Sequence, residues 1–206
     1  KSAYFEDIFR RQKSGEARTE LVFPDTAARA IPVLLDYLYS HGCLLPLTTA
    51  NAAGIRYVAQ FFGIRILFEK VMQFIQKDLT LNTLVTYFTN GDELDDTKLV
   101  GIVAKHCARN ILLVDTSHEI LKVANTFFFV RVLSLPGLEV VEAMMHLSKL
   151  VTKFCELHRE SLNAEAFLNL TSEENLPQIH HSAALGLMAT EANFITESEG
   201  LTSLQE

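Results

Sequence analysis

At 206 residues with 49% hydrophobic side chains, the chain can bury the core of one large domain or two small ones, which excludes disorder over most of its length. Its 25 acidic and 18 basic residues leave a formal charge of −7, and no Lys/Arg stripe interleaved with aromatics occurs, so a protein partner is expected and a nucleic-acid or membrane surface is not. Three scattered cysteines suit a reducing cytoplasm or nucleus, and the longest apolar run, "ANTFFFVRVLSL", is too short to span a bilayer and is broken by Arg131.

"KSAYFEDIFRRQ" begins as if already inside a helix, so the chain is expected to be a fragment. Tyr4, Phe5, Ile8 and Phe9 form one apolar face of that helix, with Glu6, Asp7, Arg10 and Arg11 opposite. A polar loop, "KSGEART", leads to "ELVF", which reads as a short strand over Glu20–Phe23 that stops at Pro24-Asp25. Asp25 or Thr26 can cap the next helix. Pro32 would cost ~3 kcal/mol deep inside a helix and is expected within its first turn, so the regular helix is placed from roughly Ala28. Leu34 with Leu38 and Leu35 with Tyr39 form i,i+4 pairs, read as the buried end of an amphipathic helix that leaves Asp36 in water and ends at Gly42.

A helix from about Thr49 to Phe62 carries Ile55, Val58, Ala59 and Phe62 on one side and breaks at Gly63. Phe68, Val71, Met72, Ile75 and Leu79 then mark a helix running to about Asp78. Asn82 is expected to cap a short helix ending at Asn90-Gly91, and Asp95 or Asp96 one carrying Leu99, Ile102, Val103 and Cys107. Thr116-x-x-Glu119 is a capping-box pattern, followed in phase by Ile120, Ala124, Phe127 and Phe128. Pro136-Gly137 marks a turn before a long helix through Val141, Met144, Leu147, Val151, Phe154 and Cys155. A second capping box, Thr171-x-x-Glu174, precedes "LPQIHHSAALGLM", and the end of the chain is polar. The organisation is α+β to about residue 78 and helical afterwards.

In order and spacing, "SAYFEDIF", "ELVFPD", "LLDYLYSHG", "LLPLTTANAAGIRYVAQFFGI" and "LFEKVMQFIQKDL" resemble the second half of a BTB/POZ domain, and "TLVTYFTNGDELDDTKLVGIVAKHCARNI" resembles the BACK domain that often follows. The resemblance implies a mostly α fold with a small β element. It comprises a truncated BTB/POZ domain over 1–78, a BACK-like array of helical hairpins over 79–195, and a polar tail over 196–206. It further implies a non-enzymatic adaptor or scaffold without a cofactor, which self-associates and recruits substrate proteins to a cullin-type ubiquitin ligase. Ligase adaptors of this kind commonly carry a hydrophobic-x-Glu element after the Tyr-Phe helix. The corresponding place reads Ser14-Gly15-Glu16, in which Glu16 matches and the apolar anchor does not, an anchor worth ~1.5–3 kcal/mol when buried. A self-associating scaffold without a ligase role is the alternative.

Tyr37 and Tyr39 lie about 200° apart around their helix, so both cannot face the core. With His41 at the helix terminus and Glu16, they are the candidate partner contacts. No catalytic, cofactor or metal residue is assigned. Cys155 and His158, three apart, could join His146 or the His180-His181 pair around zinc, but the spacing is unspecific, and a small helical metal or thiol enzyme stands only as the remote alternative. Neighbouring His106 and Cys107 point about 100° apart and cannot form a nucleophile–base pair. Three successive Phe cover most of a helix circumference, so Phe127, Phe128 and Phe129 read as buried. Any of these rings left exposed is the first candidate for target binding.

Overall fold

The computed structural model describes Tyr4, Arg10, residues 20–43, 45–135 and 141–158, and Leu162, Glu165, Asn169 and Leu170. The protein is mostly helical. In chain order the elements are α1 (Asp25–Tyr39), α2 (Thr49–Phe61), α3 (Arg65–Asp78), α4 (Leu81–Glu93), α5 (Thr97–Arg109), a 3-10 turn (Ile111–Leu113), α6 (Ile120–Val123), α7 (Thr126–Leu133) and α8 (Val141–Leu157). No helix among the described residues is long and apolar enough to cross a membrane. The strand expected at Glu20–Phe23 is not formed, and no strand occurs among the described residues. A lone extended segment gains no ladder hydrogen bonds, and no described backbone pairs with this one. Phe23 packs on the rings of Phe61 and Phe62, while Val22 is 91% exposed.

The chain divides into two compact units, Lys1–Val100 and Gly101–Glu206. In the first, α1 packs on α2, and α2 on both α3 and α4. Small residues make the α1–α2 approach close: Ala27, Ala30, Ala52 and Ala53 are buried, and a Cβ on Gly54 would lie 2.3 Å from the Thr26 carbonyl oxygen. Helix α1 starts at Asp25, earlier than Ala28, and Pro32 sits inside it. Both Pro32 and Ala28 face outward, so water reaches the Ala28 carbonyl that proline leaves without a donor, and burial of Ala27, Ala30, Leu34 and Tyr37 holds the helix together.

Three helices of this unit end alike. Gly42 N–H donates to the Tyr37 carbonyl, Ile64 N–H to that of Ala59 and Asp96 N–H to that of Gly91, each at 2.8 Å, the long bond of a Schellman turn. The left-handed residues at these turns are His41 with Gly42, Gly63 and Asp95, with φ of +53°, +85°, +64° and +49°. Helix starts are also set locally. Thr48 and Asn51 cap α2 reciprocally, and Asp96 Oδ1 accepts from Leu99 N–H at the start of α5. Asn82 is not the cap of α4: Thr80 takes that place, its N–H donating to Thr83 Oγ1 at 2.9 Å. Nor does Gly91 stop α4, which runs on to Glu93. Gly91 is buried where a Cβ would come within 3.2 Å of the Val100 side chain, so it serves packing.

In the second unit α8 lies against the 3-10 turn and α6. His146 of α8 and His158, one residue past its end, bond backbone carbonyls across this contact, His146 Nε2 to Val114 O at 2.5 Å and His158 Nε2 to Leu121 O at 2.9 Å. The Thr116–Glu119 capping box does not form. Asp115 Oδ1 accepts instead from the Ser117 amide and hydroxyl, and the expected continuous helix is split into α6 and α7. In an unbroken helix Leu121 O would receive Asn125 N–H; His158 occupies that carbonyl, and Asn125 turns to cap α7 through Phe128 N–H. Pro136-Gly137, the Thr171–Glu174 pattern and the polar tail lie outside the described residues.

Candidate interaction surface

The C-terminal end of α1 explains "LYSHG". Tyr37 is buried, and a Cβ on Gly42 would lie 3.3 Å from its ring, so the turn folds over the ring. Lys70 Nζ sits 5.4 Å from the centroid of the same ring. Gly42, at φ +85°, meets two demands at once: left-handed backbone and no side chain against the tyrosine. Tyr39 is 82% exposed at this buttressed terminus, and His41 is exposed beside it.

Leu35 and Tyr39 do not belong to the buried end assigned to them. Leu35 is 42% exposed, and with Ala28, Pro32 and Tyr39 it forms one outward line along α1 at spacings of four, three and four. Leu34, one residue earlier, carries the burial instead. That periodicity is legible in the sequence, but which of two apolar lines faces inward depends on where α2 packs. Glu16 lies outside the described residues. Tyr4, Phe23, Phe61 and Phe62 join in a ring cluster with centroids 5.1–6.0 Å apart, leaving Phe61 43% exposed.

Two polar centres brace the helices that carry this surface. Arg56 on α2, fully buried, pairs with Asp96, donates from Nε to Met72 Sδ at 3.1 Å and lies 5.2 Å from the Phe68 ring centre. Burial pulls its guanidinium below the ordinary arginine range. Asp78 Oδ2 accepts from Thr49 Oγ1 and Tyr87 OH, both at 2.7 Å, tying α2, α3 and α4 together; burial and this carboxylate drive the tyrosine hydroxyl strongly upward. Neither centre was legible, because each joins residues whose pairing only the fold decides. At the other end of α1, Thr26 donates from both N–H and Oγ1 to Glu93, at 2.9 and 2.6 Å, and a cleft of about 300 Å³ opens beside it between α1, α2 and α4.

In the second unit Phe128 and Phe129 are buried, and Phe127, 43% exposed, carries Arg131 over its ring at 5.0 Å. Burial pushes the Cys107 thiol up to about 12 and, with Glu156 adding, that of Cys155 up to about 11, which disfavours the nucleophilic thiolate at both. His158, stacked on Phe154 with ring centroids 4.5 Å apart, directs Nε2 at a carbonyl. Among the described residues no three His, Cys, Asp or Glu side chains converge as a metal site requires, and His180-His181 lie outside them.

Residues 1–79 match the BTB/POZ domain family. That domain is a protein-interaction module, generally non-enzymatic and able to self-associate, so the chain has a protein-interaction role through this segment. No curated protein and no solved structure matches the chain.

Proposed function

We propose that the chain is a BTB–BACK adaptor that recruits substrate proteins to a cullin-type ubiquitin ligase in the cytoplasm or nucleus, with the C-terminal end of α1 as its partner contact and the helices after residue 79 as a BACK-like array. The observation that carries this reading is the exposure of Tyr39, 82%, on a helix terminus that Tyr37, Gly42 and Lys70 hold in place. An exposed tyrosine on a braced support offers large contact area with little conformational freedom to lose on binding. Neighbouring Leu35 and Pro32 extend the apolar contact along α1.

The test is binding of the full chain to the N-terminal region of a cullin, with Tyr39→Ala and His41→Gly as variants. Binding that Tyr39→Ala weakens by about tenfold or more supports the reading, since hot-spot aromatics carry losses of that order. Absence of cullin binding removes the ligase role. Self-association measured by light scattering on the same samples then stands as the function, a reading favoured by the missing apolar anchor before Glu16.

A further inference from the structure

We propose that the cleft at the N-terminal end of α1 holds an acidic side chain presented by an extended segment of a partner protein. The cleft lies between three helices and is lined by Thr26, Arg29 and Ala30 of α1, Ala50 of α2, and Thr86 and Asn90 of α4. It is separate from the Tyr39 terminus: Tyr39 is ten helical steps, ~15 Å at about 1.5 Å per residue, beyond Arg29. The inference goes beyond the cullin reading and stands or falls apart from it.

The polar groups of the cleft divide into engaged and available ones. Asn51, also at the cleft, uses both ends of its carboxamide on Thr48 N–H and Pro46 O. Glu93, the carboxylate bound to Thr26, uses one oxygen on the Thr26 amide and the other on its hydroxyl. Arg29 donates only from Nε, to Asp25 O at 3.3 Å, and forms no salt bridge among the described residues. Its two terminal nitrogens therefore remain for a ligand. In a chain of net charge −7, Arg29 stands at the edge of a concavity with no salt bridge among the described residues; its charge acts on Glu93, but both Glu93 oxygens are taken by Thr26.

That arrangement selects a ligand class. The guanidinium presents parallel N–H donors at the spacing of a carboxylate's two oxygens. Asn90 binds Ala50 O weakly through Nδ2, at 3.4 Å, and keeps its carboxamide oxygen as an acceptor, while the Thr86 hydroxyl can donate or accept. An acceptor and a two-way hydroxyl beside a cation suit the amide groups that flank an acidic side chain in a peptide. The walls, Ala30 and Ala50, are small, and about 300 Å³ admits a side chain with its backbone while falling at the lower limit for a cofactor-sized molecule. Glu93 adjoins the site, which disfavours a doubly charged phosphate more than a singly charged carboxylate.

The test is selection of random displayed peptides on the full chain, followed by affinity measurement of the recovered peptides. The expected outcome is a shared Asp or Glu. Replacing it by Asn or Gln, or introducing Arg29→Gln, weakens binding by about tenfold or more, Thr86→Val by about threefold, and Tyr39→Ala not at all. Arg29 and Thr86 are not core residues, and thermal melts of both variants confirm that they fold. Recovery of no peptide, peptides without a common carboxylate, indifference to Arg29→Gln, or displacement by millimolar inorganic phosphate would each overturn the proposal, the last by showing a general anion site.

Discussion

The capping signals at Thr48 and Asp96 in the first unit set their helices, whereas the Thr116–Glu119 signal in the second does not, although both units are helical. In the first, Thr48 and Asp96 start their helices as cap residues, and Gly63 ends α2 in the left-handed conformation. In the second, the Thr116–Glu119 box gives way to an Asp115–Ser117 turn, and the helix beyond it is cut where His158 takes the Leu121 carbonyl. The difference teaches that a cap decides a boundary only while no tertiary donor or acceptor competes for the same backbone group. A local cap contributes about 1 kcal/mol, and one partly buried side chain-to-carbonyl bond with its packed ring is worth as much.

The largest effect expected is in the first unit, at its buried ion pair. Arg56→Ala leaves Asp96 without its counter-charge at the start of α5 and should destabilise by about 3–5 kcal/mol in urea unfolding. A loss under about 1 kcal/mol would mean that the first unit does not depend on the pair. Next, Gly54→Ala must push α1 from α2, because its Cβ would overlap the Thr26 carbonyl; about 2–3 kcal/mol should be lost, and an unchanged melting midpoint would deny the close helix crossing.

The comparison itself is sharpened by matched cap deletions. Thr48→Ala should cost about 1 kcal/mol and Thr116→Ala nearly nothing, so equal losses would break the contrast. His158→Phe keeps the stacking on Phe154 but frees the Leu121 carbonyl. We expect about 1 kcal/mol of destabilisation and slower hydrogen exchange at the Asn125 amide as α6 and α7 join, and unchanged exchange would leave the break without this cause.

The smallest effect is a pH dependence at the start of α1. The hydroxyl and then the amide of Thr26, with the Arg29 charge assisting, hold the Glu93 carboxyl below its ordinary range. A carboxylate whose folded-state value is lowered adds stability above its unfolded value and loses it as pH falls through the folded one. The melting midpoint of the wild-type chain should therefore exceed that of Glu93→Gln at neutral pH and converge on it in acid. A constant gap down to low pH would assign the effect to packing.

Much of the helical layout was legible. The 3,4-spaced apolar residues of α2, α3 and α8 mark those helices, and Gly63 marks one end, because backbone geometry and side-chain period act over a few residues. The Tyr37/Tyr39 divergence was legible for the same reason: two residues apart on a helix cannot share a face. Two other expectations failed on particular physics. Glu20–Phe23 has the composition of a strand but no described partner, and Pro32 is admitted inside α1 because the carbonyl it strands faces water.

By itself, then, the sequence determined where most helices run, that one of two tyrosines must leave the core, and the match of its first 79 residues to the BTB/POZ domain. Only the tertiary structure decided which apolar line of α1 turns outward, that Arg56 finds Asp96 and Glu93 finds Thr26, and that one intended helix becomes two. The reason lies in range: propensity and period are properties of neighbouring residues, whereas a buried charge or an open carbonyl is satisfied by whatever group the packing brings within 3 Å, however distant in the chain.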